Sequence, residues 1–86
     1  MADSIKILVL DDEKDTKDLF QQEFRHQIEK GIYDFSFSMS SDEVLSILKG
    51  RRFDIFITDI NIAGVDGITL ISQLQEAYPQ MKTHMI

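Results

Sequence analysis

Residues Phe53 to Gly67 read FDIFITDINIAGVDG. Ile55, Phe56 and Ile57 form the kind of apolar run carried by a strand covered on both faces, and it delivers Asp59 to that strand's carboxyl end. Asn61 and a Gly-containing loop follow. In open α/β sheets ligands settle in the crevice beyond the carboxyl ends of the strands, at a topological switch point, so Asp59 stands where chemistry is expected. A second acidic cluster sits in the same context, because Asp11-Asp12-Glu13 follows the aliphatic run Ile5 to Leu10.

Working outward from these two strands, the segments between them alternate in period. From about Lys14 to Lys30, apolar residues at Leu19, Phe20, Phe24 and Ile28 predict one helix with a charged outer side, and Gly31 is placed to end it. Tyr33, Phe35, Phe37 and Met39 alternate with Asp34, Ser36 and Ser38, which predicts an edge strand with one partly wet face. Ser40-Ser41-Asp42-Glu43 has capping-box spacing, and Val44, Leu45 and Leu48 continue it as a helix ending near Gly50. After the Asp66-Gly67 turn, Ile68, Ile71 and Leu74 give a third helical stripe, stopped at Tyr78-Pro79, and Lys82 to Ile86 begins a fourth strand. The order β-α-β-α-β-α-β requires right-handed crossovers and a parallel sheet. One edge-like strand and two buried ones predict a doubly wound α/β fold of order 2-1-3-4, with the first helix on one face and the other two on the opposite face. The switch point then falls between strands one and three, whose ends carry Asp11-Asp12 and Asp59.

Composition narrows the function classes. The chain has 86 residues, 43% of them hydrophobic, which suits one small domain spanning residues 1–86. With no cysteine, neither a disulfide framework nor a thiolate metal site is available, and a cytoplasmic setting is expected. No apolar stretch approaches membrane-spanning length, and Met1 to Ser4 has no signal-peptide character. A net charge of -6 disfavours direct contact with nucleic acid or anionic membrane and leaves cations, basic protein surfaces and small ligands. The compact basic cluster Lys49-Gly50-Arg51-Arg52 reads as the solvated end of a helix.

Neighbouring parallel strands lie roughly 5 Å apart, so acids at the ends of strands one and three point into one small space and repel one another unless a cation compensates. A hard divalent cation with oxygen ligands fits, and Mg²⁺ takes a few carboxylates while keeping waters for a substrate phosphate. Such a metal neutralises both an incoming phosphoryl group and a carboxylate nucleophile. Two competing readings of the acids are weaker. Acids between a strand and a helix also serve as helix caps. The run from Asp59 to Gly64 has the first, third and sixth positions of an EF-hand loop, but Ala63 replaces an oxygen ligand and Leu70 stands where the bidentate Glu belongs.

Strand, Asp11-Asp12-Glu13, helix, strand, helix, strand ending in Asp59, then Asp66-Gly67 before a helix: this series resembles the receiver domain of two-component response regulators, over the whole chain from about Ile5. The resemblance implies a flavodoxin-like fold in which Asp59 takes a phosphoryl group from the phosphohistidine of a sensor histidine kinase or a phosphotransfer protein. It also implies that Asp12 and Asp59 ligate Mg²⁺ directly, that Asp11 acts through a metal-bound water, and that Asn61 contributes its backbone carbonyl. The expected role is a signalling phosphoacceptor with weak self-catalysis, not a metabolic enzyme. Two departures stand out. Ile62-Ala63-Gly64 replaces the family's usual Met-Pro, leaving the loop without proline's fixed φ. The family pattern also continues past strand four with a Ser or Thr, a helix, a fifth strand ending in Lys and a final helix. The resemblance therefore implies a receiver incomplete at its C-terminal end, lacking the last strand and last two helices. Its uncovered apolar surface and open strand edge predict self-association or strand swapping. The alternative expectation is a non-switching interaction or self-assembly module on the same scaffold.

Overall fold

The computed structural model describes residues 4–59 and 67–85. Four strands, β1 (Ile5–Leu10), β2 (Tyr33–Ser38), β3 (Ile55–Thr58) and β4 (Lys82–Met85), form one parallel sheet of order β2-β1-β3-β4. This is the expected order. The helices are α1 (Lys14–Glu23), α2 (Arg25–Glu29), α3 (Ser41–Gly50) and α4 (Gly67–Ala77).

Register explains which side chains meet. Ile7 and Val9 stand beside Phe35 and Phe37 on one side and Ile55 and Ile57 on the other, so these six share a sheet face. Leu8 and Leu10 stand beside Phe56 and Thr58 on the opposite face. That second face carries the main core, where Leu8, Leu10 and Phe56 pack with Val44 and Leu48 of α3 and with Leu70, Ile71 and Leu74 of α4. The first face is covered differently. Phe20 and Phe24 lie against the β2 row, with ring centroids 5.6 Å apart for Phe20 and Phe35 and 5.5 Å for Phe24 and Phe35. Helix α1 buries no residue fully.

Three expectations are corrected. The helix predicted over 14–30 is two segments, since Phe24 adopts φ -111°, ψ 26° between them. Neither proline nor glycine interrupts the run, and the residue at the break is the one whose ring lies between Tyr33 and Phe35. Leu19 belongs to no buried stripe: it is 64% exposed, one position around the helix from Phe20. Ile68 is likewise 53% exposed, because it sits two residues before Leu70 and so faces away from the side that Leu70, Ile71 and Leu74 bury.

The termini of the helices follow the sequence signals. Ser40 Oγ accepts from the Glu43 N–H at 3.2 Å, capping α3. At the end of α2, Gly31 adopts φ +73°, and the Gly31 and Ile32 amides donate to Ile28 and Gln27, a Schellman closure.

Two predictions follow from this packing. Leu48→Ala, in the main core, is expected to cost about 2–5 kcal/mol, whereas Leu19→Ala should change stability by less than about 0.5 kcal/mol; urea unfolding of both variants checks the assignment of faces. A Cβ at Gly31 meets no atom within 4 Å, so Gly31→Ala reports backbone strain alone. It should destabilise by about 1 kcal/mol, while Gly50→Ala, at a helical position without positive φ, should be neutral or stabilising.

Candidate functional site

The two acidic stretches converge because β1 and β3 are paired to their ends. Leu10 stands opposite Thr58, and one residue on the Asp59 N–H donates to the Leu10 carbonyl at 3.4 Å. Asp11 and Asp59 therefore occupy equivalent positions just beyond two adjacent strands. On the other flank the Asp11 N–H donates to Ser38 O at 3.1 Å, holding the end of β1 to the end of β2 as well.

The Asp11 carboxylate is fixed by the start of α1. Its Oδ1 accepts from the Glu13 N–H and its Oδ2 from Thr16 Oγ1, both at 2.9 Å. One bond satisfies a backbone donor at a helix start and the other fixes the carboxylate plane. Asp11 thus makes the helix-start contact that the capping reading expects, and each of its oxygens keeps a lone pair beyond those two bonds. Asp12, next along, is exposed, and Asp59 is half-buried. Asn61 and Asp66 lie outside the described residues.

Thr16 and Thr58 were not singled out by the sequence. Thr16 carries a readable signal, a hydroxyl in the first turn of a helix that follows an aspartate. Thr58 is fully buried, and its Oγ1 donates to the Asp59 carbonyl at 3.2 Å. Its only sequence cue is a polar residue inside an apolar strand. A cleft of about 440 Å³ opens beside Asp11, between the start of α1, the end of β2 and the start of α3, with Thr16, Lys17, Phe37 and Glu43 among its walls.

Among the described residues no three acidic or histidine side chains come together as a metal cage. Asp11, Asp12 and Asp59 are therefore not gathered into one three-ligand group here, although their carboxylates belong to the hard oxygen donors that Mg²⁺ takes one or two at a time with water. No helix among the described residues is long and apolar enough to cross a membrane.

No curated protein matches the chain in sequence. Among solved structures, a signal receiver domain of an HD domain-containing protein from Pseudomonas fluorescens superposes with TM-score 0.83 at 21% identity, covering 99% of this chain and 60% of that one. The response regulator TrrA from Thermotoga maritima, in complex with Mg²⁺-BeF, matches at 26% identity with TM-score 0.75, over 91% of this chain and 64% of that one. TrrA bound to the histidine kinase ThkA matches at 25% identity with TM-score 0.77, over 93% and 66%. The chain thus spans about 60% of the length of the Pseudomonas structure. The response regulator receiver domain family matches residues 7–86, which is nearly the whole sequence. This family match, with the parallel β2-β1-β3-β4 sheet and the paired acids at its carboxyl end, makes the chain a member of the response regulator receiver domain family.

Proposed function

We propose that residues 1–86 act as one receiver domain, a phosphoacceptor in a two-component phosphorelay, with Asp59 as the nucleophile. The observation that carries this reading is the pairing of the Asp59 amide with Leu10 O, which sets Asp59 beside Asp11 at the carboxyl ends of adjacent strands. The phosphoryl donor is the phosphohistidine of a histidine kinase or a phosphotransfer protein. TrrA, similar to this chain at 25% identity, is itself found with a histidine kinase, which supports a kinase partner.

In the reaction, a carboxylate oxygen of Asp59 attacks phosphorus in line with the P–N bond of the donor. The new O–P bond makes an acyl phosphate on Asp59, the P–N bond breaks, and the departing imidazole nitrogen takes the electron pair and then a proton from water. Mg²⁺ would be held by Asp12, Asp59 and the Asn61 main-chain carbonyl, with Asp11 acting through water; when bound it offsets the charge of two anions brought into contact. The protein's own part is positioning. Asp11 is kept in place by Glu13 N–H and Thr16 Oγ1, and the Thr58 hydroxyl holds the Asp59 carbonyl at the end of β3. A cytoplasmic location accords with a kinase partner of this class.

A second reading, an interaction or self-assembly module, draws on one observation. Among the described residues β4 is paired only along its β3 side, and Leu19 is exposed on the helical layer. Concentration-dependent association in analytical ultracentrifugation, unchanged by phosphodonor, would favour it.

With a small acyl-phosphate donor and Mg²⁺, intact mass should rise by one phosphoryl group, and Asp59→Asn should abolish the gain while keeping its circular dichroism. An undiminished gain in that variant rules out Asp59 as the acceptor. Mg²⁺ at about 100 times its Kd should raise unfolding free energy by about 2.7 kcal/mol. Asp12→Asn should lose most of that increment in chemical denaturation, and an equal increment in both proteins removes Asp12 from the ligand set.

A further inference from the structure

At the opposite end of the sheet from Asp59, the turn after α3 and the turn after α4 enclose a second cleft, of about 530 Å³. Its floor is apolar and recessed: Leu48, Phe53 and Met81 line it and are each nearly fully buried. Its rim is cationic, formed by Lys49, Arg51 and Arg52, all exposed. Among the described residues no acidic side chain lines it. In a protein of net charge -6 with nine Lys and Arg in all, three cations around one cleft are a concentrated local exception.

The sequence alone reads this cluster as cations solvating a helix end. The side chains are arranged otherwise. The Arg51 guanidinium carbon lies over the Phe53 ring, 5.0 Å from its centroid, within range of a cation–π contact. Arg52 Nη2 donates to Gln80 Oε1 at 3.1 Å, tying the two turns together across the cleft. Among the described residues the one ion pair is Arg25 with Glu29, so none of the three rim cations is neutralised by a carboxylate there. A guanidinium held in place by a ring or an amide has already lost much of the freedom that binding an anion would cost it, and its remaining donors match a carboxylate or phosphate fork.

The geometry points to this cleft as a binding site for a small organic anion with an apolar body, such as an aromatic carboxylate, sulfonate or phosphate ester. The anionic group lies at the Arg51 and Arg52 rim, and the apolar body lies against the wall of Ala77, Tyr78 and Pro79 and the small part of Leu48, Phe53 and Met81 that opens into the cleft. The volume is in the range of small-molecule sites, roughly 300–1,000 Å³. An extended acidic peptide would meet the rim and leave the recessed floor unused, so the small molecule is the better fit. The site is separate from the phosphoacceptor end and does not depend on that reading, because the two lie at opposite ends of β3.

The test is titration of the ¹⁵N-labelled chain with 2-naphthoate, following backbone amides and arginine Nε–H signals. Saturable shifts are expected at Arg51, Arg52, Phe53 and Met81. The neutral 2-naphthamide should bind about tenfold more weakly, as loss of a charge-assisted contact requires. Arg51→Ala with Arg52→Ala should weaken 2-naphthoate to a similar degree, while circular dichroism and unfolding confirm that the variant is folded. Equal binding of the amide and the acid overturns the proposal, and that comparison uses the unaltered protein. Shifts spread over the sheet faces also overturn it, as do shifts that persist in the double variant. Shifts at the same residues with a short poly-glutamate peptide but none with 2-naphthoate assign the rim to an acidic protein segment and overturn the small-molecule site.

Discussion

The parallel pairing of β1 with β3 is the constraint on which the other arrangements depend. It runs from Ile7 beside Ile55 to Leu10 beside Thr58, and the Asp59 amide extends it by one more bond. Because side chains alternate along a strand, a slip of one residue would send Leu8, Leu10 and Phe56 to the wrong face and separate the two acidic stretches. The packing and the placement of the two acidic stretches are therefore set by the same register. The core holds the register because Leu8, Leu10 and Phe56 are fully buried between α3 and α4. The site inherits it at no further structural expense, since Asp11 and Asp59 are simply the first residues past the paired region.

Most of the fold was legible because its signals are local and redundant. The aliphatic run of β1, the alternation of β2, the serine cap of α3 and the proline after α4 each speak in a different way, and all agree on one topology. What escaped the sequence was how far each helix turns its apolar stripe inward. Leu19 and Ile68 satisfy a helical period as well as their neighbours do, yet both are exposed. A period identifies a face, but the neighbouring layer decides how wide that face is. The break at Phe24 is of the same kind, as it is visible only once the ring is seen between Tyr33 and Phe35.

At the acidic end the sequence identified Asp11, Asp12 and Asp59 through their position after strands, and the fold brings Asp11 and Asp59 to adjacent strand ends. It did not reveal how Asp11 is held. A carboxylate that accepts from Glu13 N–H and Thr16 Oγ1 braces the start of α1, and the same two bonds fix the orientation of the acid. Thr58 escaped for a simpler reason. A threonine within IFIT is an ordinary strand residue until its hydroxyl is seen on the Asp59 carbonyl.

The placement of the aromatic residues carries one more consequence. The chain has no tryptophan and two tyrosines. Tyr33 lies in the ring cluster beneath α1 and α2, with its ring 5.7 Å from Phe24, and Tyr78 packs against the main core on the other side of the sheet. Intrinsic ultraviolet emission therefore arises from two reporters, one in each helical layer. The sheet's two coverings are unequal, one a buried core of aliphatic side chains around Phe56 and the other a half-buried row of rings. A fluorescence melt of this chain records whether those coverings come away from the sheet together or in sequence.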